Sequence, residues 1–128
     1  MLLDTLMTIL DSVDHAGTLN GEADLGDAKA AQKGNLRFRL QGVEDASGAA
    51  VASTGITLTL TSRSTSGSGG TAIMTLVMTA AQVNAGVEFT IPSFCARYAY
   101  MALTGTITAG AFTLAQVETG DLNSLTIA

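Results

Sequence analysis

Few side chains in this sequence have the types and spacing that chemistry needs. His15 is the only histidine and Cys95 the only cysteine. A Ser-His-Asp or Cys-His arrangement would have to use that one imidazole, which stands 80 residues from the thiol. Distance along the chain excludes no pairing, but no nucleophile motif accompanies either residue. The pattern G-x-S-x-G does not occur, because Ser66-Gly67-Ser68-Gly69-Gly70 fails at its first position. His15 lies in an acidic, glycine-flanked stretch and reads as an exposed or locally capping residue. Cys95 follows Phe94 near Pro92, with only Arg97 as a nearby cation. It reads as a buried structural thiol.

The best metal candidate is the acidic run Asn20-Gly21-Glu22-Ala23-Asp24-Leu25-Gly26-Asp27. Ligands at alternate positions 20, 22 and 24 mimic the opening of a calcium loop. The glycine then comes one residue late, and Ala31 stands where a bidentate Glu is needed. One His and one Cys also leave zinc without enough of its preferred ligands. The glycines at 67, 69 and 70 lack the Lys-Ser/Thr of a phosphate loop. No two acids are placed by a framework that would suit glycoside chemistry. The expectation is a protein without catalytic residues, cofactor or metal.

The elements that would position any site are set by an unusual composition. The chain has 128 residues, 6 Lys+Arg against 11 Asp+Glu, and a net charge of −5. Charged residues are 13% of the chain, about half the share usual in a folded domain. Small and β-branched residues fill the gap, with 18 Thr and 14 Gly but no Trp. So acidic a chain is a poor ligand for phosphate backbones, because affinity there comes from counterions displaced by Lys and Arg. No nucleic-acid partner is expected. No membrane partner is expected either, since no apolar run approaches the roughly 18–20 residues of a span. Residues 1–7 lack the cationic start of a signal peptide. The length suits one domain, 1–128, with burial of about two thirds of the unfolded surface.

Residues 1–13 carry apolar side chains near helical spacing: Leu2, Leu3, Leu6, Met7, Ile9, Leu10 and Val13. Two Thr and an Ile weaken a helix there, so an extended arm is equally compatible. This arm either completes the core or lies on a partner. Its candidate interface residues are Met1, Leu2, Leu3, Leu6, Met7 and Leu10. Segment 14–35 reads as loop, with a short strand or helical turn around residues 28–32.

From Leu36 onward the period is two. Leu36, Phe38 and Leu40 alternate with Arg37, Arg39 and Gln41; Ile56, Leu58 and Leu60 alternate with Thr57, Thr59 and Thr61. Val87, Phe89 and Ile91 do the same. Each pattern predicts a strand with one wet face. Residues 72–78 are apolar on both faces, which predicts a central strand or one covered by a neighbour. Residues 97–108 form a long strand, and Phe112–Glu118 returns across Ala109-Gly110-Ala111 as a hairpin. Residues 44–53, 62–70, 80–86 and 92–96 read as connections. The fold class expected is all-β: a single antiparallel β-sandwich, jelly-roll-like, of about eight strands, with an N-terminal arm and a C-terminal tail at 119–128.

The order of these features resembles the small cement, or decoration, proteins of tailed-phage capsids, of the Bordetella-phage type. The resemblance runs through Met1-Leu2-Leu3-Asp4-Thr5-Leu6, Asp24-Leu25-Gly26, Leu36-Arg37 with its strand, and the strand 55–62. It continues through 79–86, 87–92 and Arg97-Tyr98, and ends with Thr106 to Thr113. The loop 62–70 is unusually rich in Gly and Ser, and 119–128 looks like an addition. The resemblance implies a virion protein made in the host cytoplasm that binds the outside of an icosahedral shell. Its partners would be the major capsid protein and itself, as a homo-oligomer, a dimer before a trimer. The competing class is a carbohydrate-binding or adhesin-like module, which wants exposed aromatic rings. Most of the six aromatics here fall on core faces or near turns.

Overall fold

The computed structural model describes residues 8–25, 36–92 and 94–117. Its strands are β1 (Thr8–Asp14), β2 (Asn20–Asp24), β3 (Arg37–Val43), β4 (Ala52–Arg63), β5 (Thr71–Met78), β6 (Val87–Thr90), β7 (Tyr98–Ala109) and β8 (Ala111–Gln116). One short helix, α1 (Ala80–Ala85), sits between β5 and β6. The strands form two four-stranded antiparallel sheets with orders β1-β8-β3-β6 and β2-β7-β4-β5. First pairs with last, second with seventh, third with sixth and fourth with fifth. That nesting is a long hairpin rolled onto itself, the jelly roll the sequence predicts.

Period-two patterning explains how the two sheets close on each other. Ile56, Leu58 and Leu60 of β4 are fully buried, and Ala99, Met101 and Leu103 of β7 project to the same side. Facing them are Phe38 and Leu40 of β3 with Phe112 and Leu114 of β8. Each of these side chains larger than alanine stabilises the fold by about 1.5–3 kcal/mol when removed from water. Phe38 and Phe89 stack with ring centroids 6.1 Å apart. Cys95 is fully buried in the same core, as its apolar neighbours predict.

The structure decides or corrects the sequence reading at five places. First, residues 8–13 take the extended form of the two left open, not the helical one: β1 pairs with β8 along a ladder with two register shifts. Between Leu10↔Leu114 and Val13↔Phe112, β1 advances three residues while β8 advances two. A bulge therefore turns a spacing of three into an inward-facing pair, which imitates the helical period. Second, Asn20–Asp24 is not loop but strand, paired with Tyr98–Ala102 of β7.

Third, β5 is an edge strand and not a central one, and among the described residues nothing covers its outer face, where Val77 is 78% exposed. Its inner-face residues reach the core, which accounts for the apolarity of that face alone. Fourth, β7 and β8 are not a hairpin, since they belong to different sheets. Gly110 makes the corner at φ +95°, and a Cβ there would lie 2.4 Å from Val51 Cα. Only glycine lets the chain cross between the layers at that point. Fifth, the connection 80–86 contains α1, opened by a capping box: Thr79 Oγ1 accepts from Gln82 N–H, and Gln82 Oε1 accepts from Thr79 N–H.

Candidate interaction surface

The groups that could do chemistry are placed by the corners and edges of the sandwich. His15 follows β1, and Asp45 lies in the loop between β3 and β4. Ligand atoms of Asp14, His15 and Asp45 lie within 4.8 Å of one another, a spacing that would suit a metal. Each is already engaged. Asp45 Oδ2 accepts the Gly110 N–H at 3.0 Å, while Oδ1 accepts those of Ala49 and Ser47 at 3.0 and 2.9 Å. These amides, Gly110 first, hold its carboxyl below the usual range, with His15 adding to the effect. His15 N–H donates to Gly110 O at 3.0 Å, and its Nδ1 lies at the same distance from that oxygen. Asp14 Oδ1 accepts from Ala16 N–H. The arrangement bolts two loops, β1–β2 and β3–β4, to the β7–β8 corner.

The alternating acids of the calcium-like run lie on β2 and face arginines. Arg63 Nη1 donates to Glu22 Oε2 at 3.1 Å, and Arg97 Nε to Asp24 Oδ1 at 2.9 Å. Glu22 also accepts from Gly67 N–H at 3.0 Å and Ser66 Oγ at 2.6 Å. Those bonds, the Gly67 amide foremost, hold the Glu22 carboxyl below its ordinary value. The Gly/Ser loop 64–70 is thus anchored to β2 by one carboxylate. Asp27 and residues 28–32 lie outside the described residues.

The arginines also cover aromatic rings. Arg63 Cζ sits 3.9 Å from the Tyr100 ring centroid, and Arg97 Cζ 5.2 Å from that of Tyr98. On the other sheet, Glu88 bridges Arg37 and Arg39 at 3.2 and 3.0 Å. Arg39 reaches on to Gln41 and to the Ala85 carbonyl that ends α1. Among the described residues, every buried side-chain polar atom has a hydrogen-bond partner.

Of the predicted interface residues, Leu10 is buried in the core, where it completes the β1 face. Met1, Leu2, Leu3, Leu6 and Met7 lie outside the described residues, as does 119–128. Among the described residues, no helix is long and apolar enough to cross a membrane.

What sequence reasoning missed is the margin of the second sheet. Along β5 run Ile73, Met74 and Leu76, all half-buried, and Val77, which is exposed. A groove of about 400 Å³ lies between the end of β5, α1 and the start of β6, lined by Leu76, Val77, Met78, Gln82, Ala85, Gly86 and Val87. Among the described residues, no charged side chain lines it. Phe94, 72% exposed in the β6–β7 connection, is a second apolar side chain left in water. The signal for the margin was legible as an apolar run on both faces. Its position at an edge was not.

Comparison with known families, with curated proteins and with solved structures returns no match for this chain.

Proposed function

We propose that this chain is a structural binding protein, a capsid cement that sits on the outer surface of a tailed-phage shell and bridges neighbouring major capsid subunits. The observation that carries the reading is a division of labour over the surface. The guanidinium groups of the described residues are all paired, and most of the carboxylates hold loops, corners or those arginines, Asp11 and Glu44 excepted. The groups left to meet a partner are apolar and uncharged, centred on the β5 margin. Such a surface suits lasting contact between proteins, whereas turnover needs polar groups aimed into a pocket. The resemblance, carried by the order and spacing of short pieces over most of residues 1–118, supplies the kind of partner.

The role needs a stiff module with two or more footprints. When one module bridges two subunits, detachment requires both footprints to let go together, so modest contacts act through effective concentration. A sandwich with a filled core and bolted corners provides that stiffness. The chain would act in the virion, as a homo-oligomer, with residues 1–7 available as a further footprint. Because Leu10 belongs to the core, an arm deletion that spares the fold should stop at Met7.

The test is co-sedimentation with empty capsids of the source particle, beside a glycan array. Saturable binding to capsids with no glycan hits supports the reading. No binding to capsids at concentrations well above those of the particle, or a clear glycan hit, overturns it. Deleting residues 2–7 then reports on the arm: normal occupancy by the folded deletion variant removes the arm from the footprint.

A further inference from the structure

The two sheets have four outer strands, and three of them are protected against pairing with another chain. The β1 edge is broken by two register shifts, carries Asp11 and Asp14, and has Ser12 at φ +52°. The β2 edge is five residues long and carries Glu22 and Asp24. The β6 edge is four residues long and carries Glu88. Charge, shortness and bulges are the usual means of blunting an edge. The fourth edge, β5, has eight residues, Thr-Ala-Ile-Met-Thr-Leu-Val-Met, with no charge and no proline. Its single irregularity lies at one end, near Ile73.

We infer that β5 is the self-association edge of this protein, pairing antiparallel with β5 of a second copy about a two-fold axis at Thr75. This deepens the homo-oligomer part of the proposed function by naming its interface. Three observations favour a second copy over other occupants. The first is charge: the chain carries a net −5, so two copies repel except where a face is uncharged. The β5 margin is such a face, whereas pairing at the other three edges would have to desolvate charged side chains.

The second is register. Residues opposed in an antiparallel pair point to the same side of the sheet. Met74, Leu76 and Met78 oppose the buried Leu60, Leu58 and Ile56 of β4, so they point inward and Thr75 and Val77 outward. A two-fold axis that keeps both inner faces on one side must therefore pass through a residue paired with itself. With the axis at Thr75, Met74 meets Leu76 of the other copy and Thr75 meets Thr75, while Val77 falls opposite the register shift at Ile73. Apolar partners and a Thr–Thr pair are favourable cross-strand neighbours. An axis at Met74 would instead set Ile73 against Thr75 and Thr71 against Val77.

The third is extent. Eight residues of strand run about 26 Å. The apolar groove between the end of β5, α1 and the start of β6 lies beside it and extends the uncharged margin. The half-buried Met74 and Leu76 of both copies then close over each other, and Val77 leaves water. The product is one continuous eight-stranded sheet across two sandwiches.

Sedimentation of the purified chain without capsids tests this, so its outcome is separate from capsid binding. The full chain is expected to sediment as a dimer at tens of micromolar. Val77→Glu, at a site 78% exposed, should shift it to monomer, raising the dissociation constant at least about tenfold, with unchanged urea unfolding. Thr75→Cys should cross-link to itself under mild oxidation, while Thr104→Cys, exposed on β7, should not. A monomeric parent chain, a dimer indifferent to Val77→Glu, or no cross-link at 75 overturns the inference. So does a dimer lost on deleting residues 1–7 or 118–128, because that segment would then be the occupant.

Discussion

Replacing Gly110 by Ala tests the corner on which the two sheets turn. The substitution has two separable costs. At φ +95° an L-residue pays about 1–2 kcal/mol for its backbone conformation. The new Cβ would also lie 2.4 Å from Val51 Cα and 2.6 Å from Val51 N. These are backbone atoms, so relief requires moving the start of β4, an overpacking cost of about 1–3 kcal/mol. The Gly110 peptide further holds His15 through its carbonyl and Asp45 through its N–H, and a displaced corner strains both. The expected loss is about 3–5 kcal/mol, against a total stability of roughly 6–19 kcal/mol for a chain of this length. Gly67→Ala is the matched control. Gly67 has φ +83° but nothing within 4 Å of its would-be Cβ, so it carries the backbone cost alone, about 1–2 kcal/mol. Urea unfolding of both variants gives the difference directly. Losses equal within about 1 kcal/mol would refute the claim that packing against Val51 requires this glycine.

Other outcomes follow from the same contacts. Thr79→Ala removes half of the capping box and should cost about 1 kcal/mol in urea unfolding, with the loss confined to α1 and its neighbours by hydrogen exchange. Phe38→Ala empties a fully buried site beside Phe89 and should cost about 3–5 kcal/mol; a loss under about 1 kcal/mol would mean the core is not packed around that ring. Glu22 has a depressed folded pKa, so its contribution is complete above the ordinary value of 4.5 and is lost as pH falls through the lower folded value. Exchange of the Gly67 amide should therefore accelerate as pH is lowered below 4.5 relative to a reference loop amide, and Glu22→Gln should abolish that dependence.

How far the sequence spoke for the structure depends on whether a feature is local. Alternation at 36–41, 56–61 and 97–103 is local, and those strands lie where the pattern puts them. The capping box Thr79-Ala-Ala-Gln82 is local too and was readable, although a six-residue helix inside a β chain is easily passed over. Pairing is not local. Nothing in Asp14, His15 or Asp45 announces that residues thirty positions apart meet at one corner. Nothing in Phe112–Gln116 says that it turns away from β7 to join β1. Bulges do more damage than distance, because the register shifts in β1 give a strand the spacing of a helix. For the interaction surface, the sequence showed that residues 72–78 were apolar on both sides. Only the strand order revealed that one of those sides meets no other part of the described chain.

The nested pairing has a consequence for how the chain finds its fold. Bringing β1 to β8 directly would close a loop of about a hundred residues, costing about 2 kcal/mol more in entropy than closing the seven-residue connection between β4 and β5. Nesting removes the need. Once β4 and β5 have met, β3 and β6 are already near neighbours, and each completed pair delivers the next one outward. The long-range contacts of the finished sandwich can thus accumulate as a series of short closures, the way a zipper joins distant ends without ever reaching across the gap.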